Sequence, residues 1–210
     1  MSETSSVPSA DARRSRRDAI VRAAVDVFAR RGFPDAGMQE IADQAGVART
    51  VLYQEFAGKE QLFEAALASV LDTVDEVVAA SRPTGTAGPE ALAPVIAAVW
   101  DWTDGHPQEA RLLYHQTPGV TPESLRLRQD FEDRHIAAAF VYIPGRDLVP
   151  ATAAKRWSLT SLVVRSIITM GLSVHALRAD AAPLRNPPER ELRQAAMDVS
   201  VRMMRAAASG

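Results

Sequence analysis

The chain has 210 residues, a length that suggests one large domain or a small module with a bigger companion, and excludes collagen-like repeats and minimal stapled scaffolds. An apolar share of 47% beside 24% charged residues is that of an ordinary soluble fold, and no stretch approaches the ~18 uninterrupted apolar residues of a membrane span. The absence of cysteine removes disulfides and thiolate metal sites and fits a cytoplasmic setting, and the polar start has no secretory apolar core.

The net charge of −2 is unevenly spread. Residues 13–60 carry nine Lys and Arg against seven Asp and Glu, and Arg13, Arg14, Arg16 and Arg17 fall within five residues. That cluster reads either as a solvated helix entry or as an arm for a polyanion. Residues 1–12 read as a disordered tail.

Helical periodicity runs through the chain and strand-like β-branched runs are almost absent, so an all-α protein of about nine helices is expected. The first helix is predicted over residues 16–31, with Ile20, Ala24, Val27 and Phe28 on one face and a stop at Gly32. Short helices follow at 38–45 and 49–56, separated by Gly46, then a longer one at 59–80. The segment SRPTGTAGP breaks the pattern. Pro89, Pro107 and Pro122 each fit a first helical turn, where a missing N–H costs nothing, and Thr121 is a suitable N-cap. Helices are therefore expected at 89–105, 107–117, 122–142, 152–178 and 188–208.

The segment MQEIADQAGVARTVLYQEFAGKE carries the most specific signal. Two helices crossing through a short turn need a small residue at their closest approach, a turn residue tolerant of positive φ, and apolar side chains on both inner faces. Ala42, Gly46 and the set Ile41, Ala45, Val47 and Leu52 supply these, with Val27, Phe28 and Phe33 closing a three-helix core. This is the pattern of a helix-turn-helix DNA-binding unit, expected over residues 13–58.

Taken together, AIVRAAVDVFARRGF, IADQAGV and LYQEFAGKEQLF resemble the TetR-type transcriptional regulators in order and spacing. The resemblance implies an all-helical homodimer with an N-terminal DNA-binding domain, and a larger domain, here residues 59–210, for effector binding and dimerisation. It also places Arg17, Gln39 and Ala48 near DNA. Gly37 stands where a Ser or Thr commonly opens the second helix, with Glu40 left as the distal half of a capping box. Ala48 replaces a capping Ser, and Arg49 to Val51 replace the usual Gly-containing start of the recognition helix. At that helix start, Arg49 and Thr50 can meet base edges, an Arg favouring guanine O6 and N7. Tyr53, Gln54 and Lys59 are expected to contact phosphates, the alternatives being that Tyr53 packs and Lys59 is solvated.

An effector cavity is expected among Trp100, Trp102, Tyr114, Phe131, His135 and Ile168, although aromatics at helical spacing also serve as simple core. A small molecule with apolar or aromatic bulk would fit there. The last two helices carry the stripes Trp157, Val164, Ile168, Leu172 and Leu192, Ala196, Val199, Met203, expected to pair with a second copy. GLSVH at residues 171–175 is one glycine short of a nucleophile elbow and lies within a helix. Glu132 and His135 form a single Glu-x-x-His where di-iron bundles need two, and the four histidines have no ligand spacing, so neither metal nor cofactor is expected. The expectation is a ligand-released repressor that binds a pseudo-palindromic operator as a homodimer, without membrane association. An activator, or a DNA binder without a ligand, is the alternative; a helical enzyme ranks third.

Overall fold

The computed structural model describes residues 9–85, 87–115, 120–142, 159–180 and 189–209. Among them are nine α-helices and two short 3-10 turns. Ser9 accepts from the Ala12 N–H at 3.2 Å and starts α1 (Ala10–Asp35), so the expected tail ends by residue 9 and the three residues after it are helical. Helical geometry breaks at Gly32, whose φ of 77° a side chain would resist. The break turns Phe33 back onto Phe28 and Phe63, with ring centroids 6.0 and 5.3 Å away.

The next two helices are α2 (Met38–Ala45) and α3 (Arg49–Glu55). Gly46 ends α2 in the left-handed region at φ 68°, and its N–H donates to the Asp43 carbonyl at 3.1 Å, the turn the sequence requires. Neither Gly37 nor Ala48 gives a side-chain cap. The expected half capping box is corrected: the Glu40 carboxylate accepts from Arg31 at 3.4 Å and sits 3.6 Å from Arg30, cations on α1 that draw it away from the helix start.

The fourth helix, α4 (Lys59–Ser81), belongs to both halves of the molecule. Its first turns put Leu62 and Phe63 into a fully buried core with Ile20, Val27, Phe28, Ile41 and Leu52. Its later turns bury Leu71, Val74 and Val78 in the C-terminal half. The domain boundary expected at residue 58 therefore cuts a packed seam.

The remaining helices are α5 (Leu92–Gly105), α6 (Pro107–His115), α7 (Pro122–Ala138), α8 (Leu159–Asp180) and α9 (Glu189–Ser209). The expected segment at 89–105 opens as a 3-10 turn (Pro89–Ala91), and 122–142 closes as another (Ala139–Tyr142). Thr121 caps α7 in a reciprocal box with Ser124 and also donates to Glu64 of α4 at 2.7 Å. Arg134 binds Asp75 at 2.6 Å, tying α7 to α4 a second time. At the far end Arg193 of α9 makes a two-pronged pair with Asp101 of α5 at 2.8 and 2.7 Å. Helix α6 packs on α1 as well as on α8, so the N-terminal unit meets the larger half through both α4 and α6.

Candidate functional site

Outside the buried three-helix core, α3 leaves Arg49, Thr50, Tyr53 and Gln54 exposed together on one surface. Leu52, on the opposite side, is fully buried, so packing fixes which side of this short helix faces out. Tyr53 is 43% exposed, too much for a residue that merely packs. The Arg49 guanidinium lies 5.5 Å from the Tyr53 ring centroid and 3.4 Å from its hydroxyl, which holds the cation at the N-terminal end of α3. Ala48 is exposed at the cap position, and Gln39, exposed near the start of α2, donates to Asp43 at 2.7 Å.

Behind this surface, Arg17 stacks on the Phe56 ring at 4.2 Å and donates to the Glu55 carbonyl at 3.0 Å. The Glu55 carboxylate accepts from Arg16 at 3.0 Å and from Arg13 at 3.3 Å. Of the cluster that reads either as a helix entry or as a polyanion arm, three of the four arginines bind the C-terminal end of α3, where a cation also meets the negative helix end. The hydrogen bond from Arg16, with help from Arg13, holds the Glu55 carboxyl below its ordinary value of 4.5 against the opposing effect of desolvation. A depressed carboxyl contributes stability above its unfolded pKa and loses it as pH falls through the folded one. Glu55→Gln is therefore expected to unfold more readily than the parent at neutral pH, with the difference closing in acid below the ordinary value of 4.5. Urea titrations across that range check this, and a pH-independent difference would contradict it.

Lys59, for which a phosphate contact is expected, has partners within the chain. Its ammonium donates to the carbonyls of Pro34 at 2.9 Å and Ala36 at 3.1 Å and lies 4.8 Å from the Phe33 ring centroid. It closes the α1–α2 junction because the Gly32 break leaves those carbonyls outside the helical ladder. Lys59→Met should cost about 1–2 kcal/mol of stability, the loss of charge-assisted hydrogen bonds at a partly exposed site. In DNA titrations, the salt slope of the folded variant should match the parent's; a shallower slope would restore the phosphate contact.

The second site is a cavity of about 140 Å³ walled by α4 to α9. It brings together five of the six residues expected there: Trp100, Trp102, Phe131, His135 and Ile168. The side chain of Tyr114 lies outside the described residues. Sequence reasoning missed the contribution of α4, namely Leu71, Val74, Val78 and, just past its end, Arg82. The signal is there in the apolar 71, 74, 78 spacing, but the cavity is sought among the aromatic groups of the middle helices, and α4 carries none in this stretch. Burial pushes the His135 imidazole below its ordinary pKa despite the Phe131 carbonyl and Asp75, and pushes the Tyr142 hydroxyl up. Burial also lowers Arg128, which pairs with Glu132 at 3.2 Å.

Part of the expected dimer stripe is corrected by the same cavity. Val164, Ile168 and Ala196 line it, and Met203 packs partly against the core, so these residues serve their own chain. Leu192 is half-buried, while Val199 remains 41% exposed, as does Leu162, which the stripes did not include, at 59%. Trp157 lies outside the described residues, as does the side chain of Leu172.

An all-α chain with a three-helix unit, a left-handed glycine turn and an exposed polar face on the short third helix is a helix-turn-helix protein of the DNA-binding class. Residues 20–66 match the family model described as "Bacterial regulatory proteins, tetR family". Residues 20–66 are therefore a TetR-family DNA-binding domain. It is 35% identical over 111 residues to the HTH-type transcriptional activator FasR of Mycolicibacterium smegmatis, covering 53% of this chain and 51% of that one. It is 30% identical over 97 residues to the HTH-type transcriptional repressor NicS of Pseudomonas putida, covering 46% of each. The chain thus aligns with about half the length of these curated relatives. Among solved structures, a tetR-family transcriptional regulator from Streptomyces coelicolor superposes with a TM-score of 0.67 at 27% identity, over 93% of this chain and 83% of that one. A TetR-like transcriptional regulator from Rhodococcus sp. RHA1 has the same fold, with a TM-score of 0.67 at 21% identity over 98% and 100% of the two chains.

Proposed function

We propose that this protein is a ligand-responsive repressor that binds a pseudo-palindromic operator as a homodimer in the cytoplasm. The observation that carries the DNA reading is the exposed Arg49, Thr50, Tyr53 and Gln54 surface on a short helix whose other side is locked into the core. A twofold dimer would set two such helices in successive major grooves, with half-sites about 34 Å apart. Exposed Leu162 on α8 and Val199 on α9, two helices that pack against each other, support an interface there. Repression needs occupancy of promoter DNA only, while activation needs a further favourable contact with the transcription machinery. The names of the relatives include both signs.

The effector reading rests on α4. This helix of 23 residues, about 34 Å at 1.5 Å per residue, has its first turns in the DNA-binding core and its later turns in the cavity wall. A ligand that favours one setting of α4 against α7 biases the spacing of the two recognition helices through differential binding to two states. Selection of bound duplexes from a random pool is the deciding experiment: it should enrich an inverted repeat. Enrichment of no sequence would remove the operator reading, and sedimentation as a monomer of 22.7 kDa at micromolar concentration would remove the dimer. A reporter driven by the selected site then reads the sign.

A further inference from the structure

The charges in and behind the cavity wall balance in all but one place. Glu132 pairs with Arg128 at 3.2 Å and with Arg165, and Arg165 also lies 3.5 Å from Asp133, so two cations meet two carboxylates across α7 and α8. Asp75, 3.5 Å from the His135 imidazole, is held by Arg134 at 2.6 Å. Arg82 lines the same cavity, and among the described residues no carboxylate pairs with it.

The position of Arg82 gives that charge a direction. Leu71, Val74, Val78 and Arg82 recur at intervals of three and four residues, so they share one face of α4. The first three are buried, while Arg82, at the cap position, is exposed. At 1.5 Å per residue, the stripe runs about 16 Å from Leu71 to the cation. The charge is felt inside the wall: it draws the Tyr142 hydroxyl down against the effect of burial and adds to burial in keeping His135 neutral. The guanidinium therefore stands on the cavity side of the helix end, at a rim open to solvent.

An apolar lining that ends in an unmatched cation fits a molecule that is apolar along its length and anionic at one end. A hydrocarbon fills the lining but gives the cation no acceptor. A carboxylate brings one negative charge and two acceptor oxygens in the geometry that a guanidinium fork matches. A phosphate monoester carries about −1.5 to −2, more than one cation balances. From the place of Arg82 at the end of the apolar stripe we infer that the effector is an apolar monocarboxylate, its body in the cavity and its carboxylate on Arg82. This deepens the effector reading given above and rests on it.

Octanoate and octan-1-ol share a chain and differ in the charge of the head, which makes them the probes for the full-length chain. Calorimetric titration of each at neutral pH gives an octanoate-to-octanol affinity ratio. In Arg82→Gln that ratio should fall about tenfold, the low end for a bond to a charged group because Arg82 is exposed. Arg82→Lys, which keeps the charge, should restore most of it. Added salt should weaken octanoate binding to the parent and leave octan-1-ol unaffected, a readout that needs no variant. If both probes bind the parent and the ratio is unmoved in Arg82→Gln, or if octan-1-ol alone binds, the carboxylate inference is overturned and the cavity reading stands. Tighter binding of octyl phosphate than of octanoate would overturn it in the same way. If none of the probes binds the parent at millimolar concentration, the cavity reading falls and this inference falls with it.

Discussion

Phe63→Ala is expected to lower the unfolding free energy by about 3–5 kcal/mol, the range for truncating a buried aromatic. The Phe63 side chain is fully buried and meets Phe28 edge-on at 5.2 Å and Phe33 at 5.3 Å, so its removal leaves a void bordered by two rings on α1. For a chain of this size the melting temperature should fall by roughly 6–20 °C. The functional consequence follows from where Phe63 sits: the start of α4 seats the DNA-binding unit, and a loosened seat lets α3 occupy many orientations. DNA affinity should then drop by a similar factor on all sequences, with base preferences intact in the molecules that still bind. Urea denaturation and binding to a panel of duplexes read the two parts separately. A stability loss below about 1 kcal/mol, the level of an ordinary point mutation, would contradict this account of the seam.

Phe63 also illustrates what was legible in the chain. Gly32, Ala42 and Gly46 have local conformational or steric jobs, and their spacing locates the three-helix unit and its turn in the sequence alone. Partners distant in sequence were not legible. Lys59 lies 25 residues from Pro34, and Arg17 lies 38 from Glu55, so the charges that looked available for phosphates had backbone acceptors that only the folded chain brings near. Glu40 followed the same rule, exchanging a local cap for two arginines on another helix.

The cavity and the expected dimer stripe divide along similar lines. Trp100, Trp102, Phe131 and His135 were visible as a concentration of rings in the middle helices, and they do share one cavity. The faces of α8 and α9 were harder to assign because apolar side chains occur on more than one side of each. Periodicity identifies a stripe but not whether the stripe looks inward, and Val164, Ile168 and Ala196 look inward. The outward residues, Leu162 and Val199, are distinguished by exposure alone.

Arg49→Ala separates base reading from phosphate contact at the one cation on the exposed surface of α3. Arg49 stands in the first turn of that helix, and its stacking on Tyr53 restricts the guanidinium before DNA arrives. A planar fork held at the start of a recognition helix matches guanine O6 and N7 in two parallel hydrogen bonds. Its removal should cost about 1–3 kcal/mol per half-site, roughly 5- to 150-fold, and should relax the preference for guanine at one position in each half. Tyr53→Phe provides the contrast. It keeps the ring that supports Arg49 and removes a neutral hydroxyl, so affinity should fall modestly on all sequences while base preferences and salt slope hold. Selection experiments on the two variants, repeated at two salt concentrations, distinguish the roles. If Arg49→Ala lost affinity equally on every sequence, with a salt slope shallower by about one ion per subunit, the guanidinium would be a phosphate contact. Specificity would then have to come from Thr50, from Gln54, or from the shape of the DNA itself.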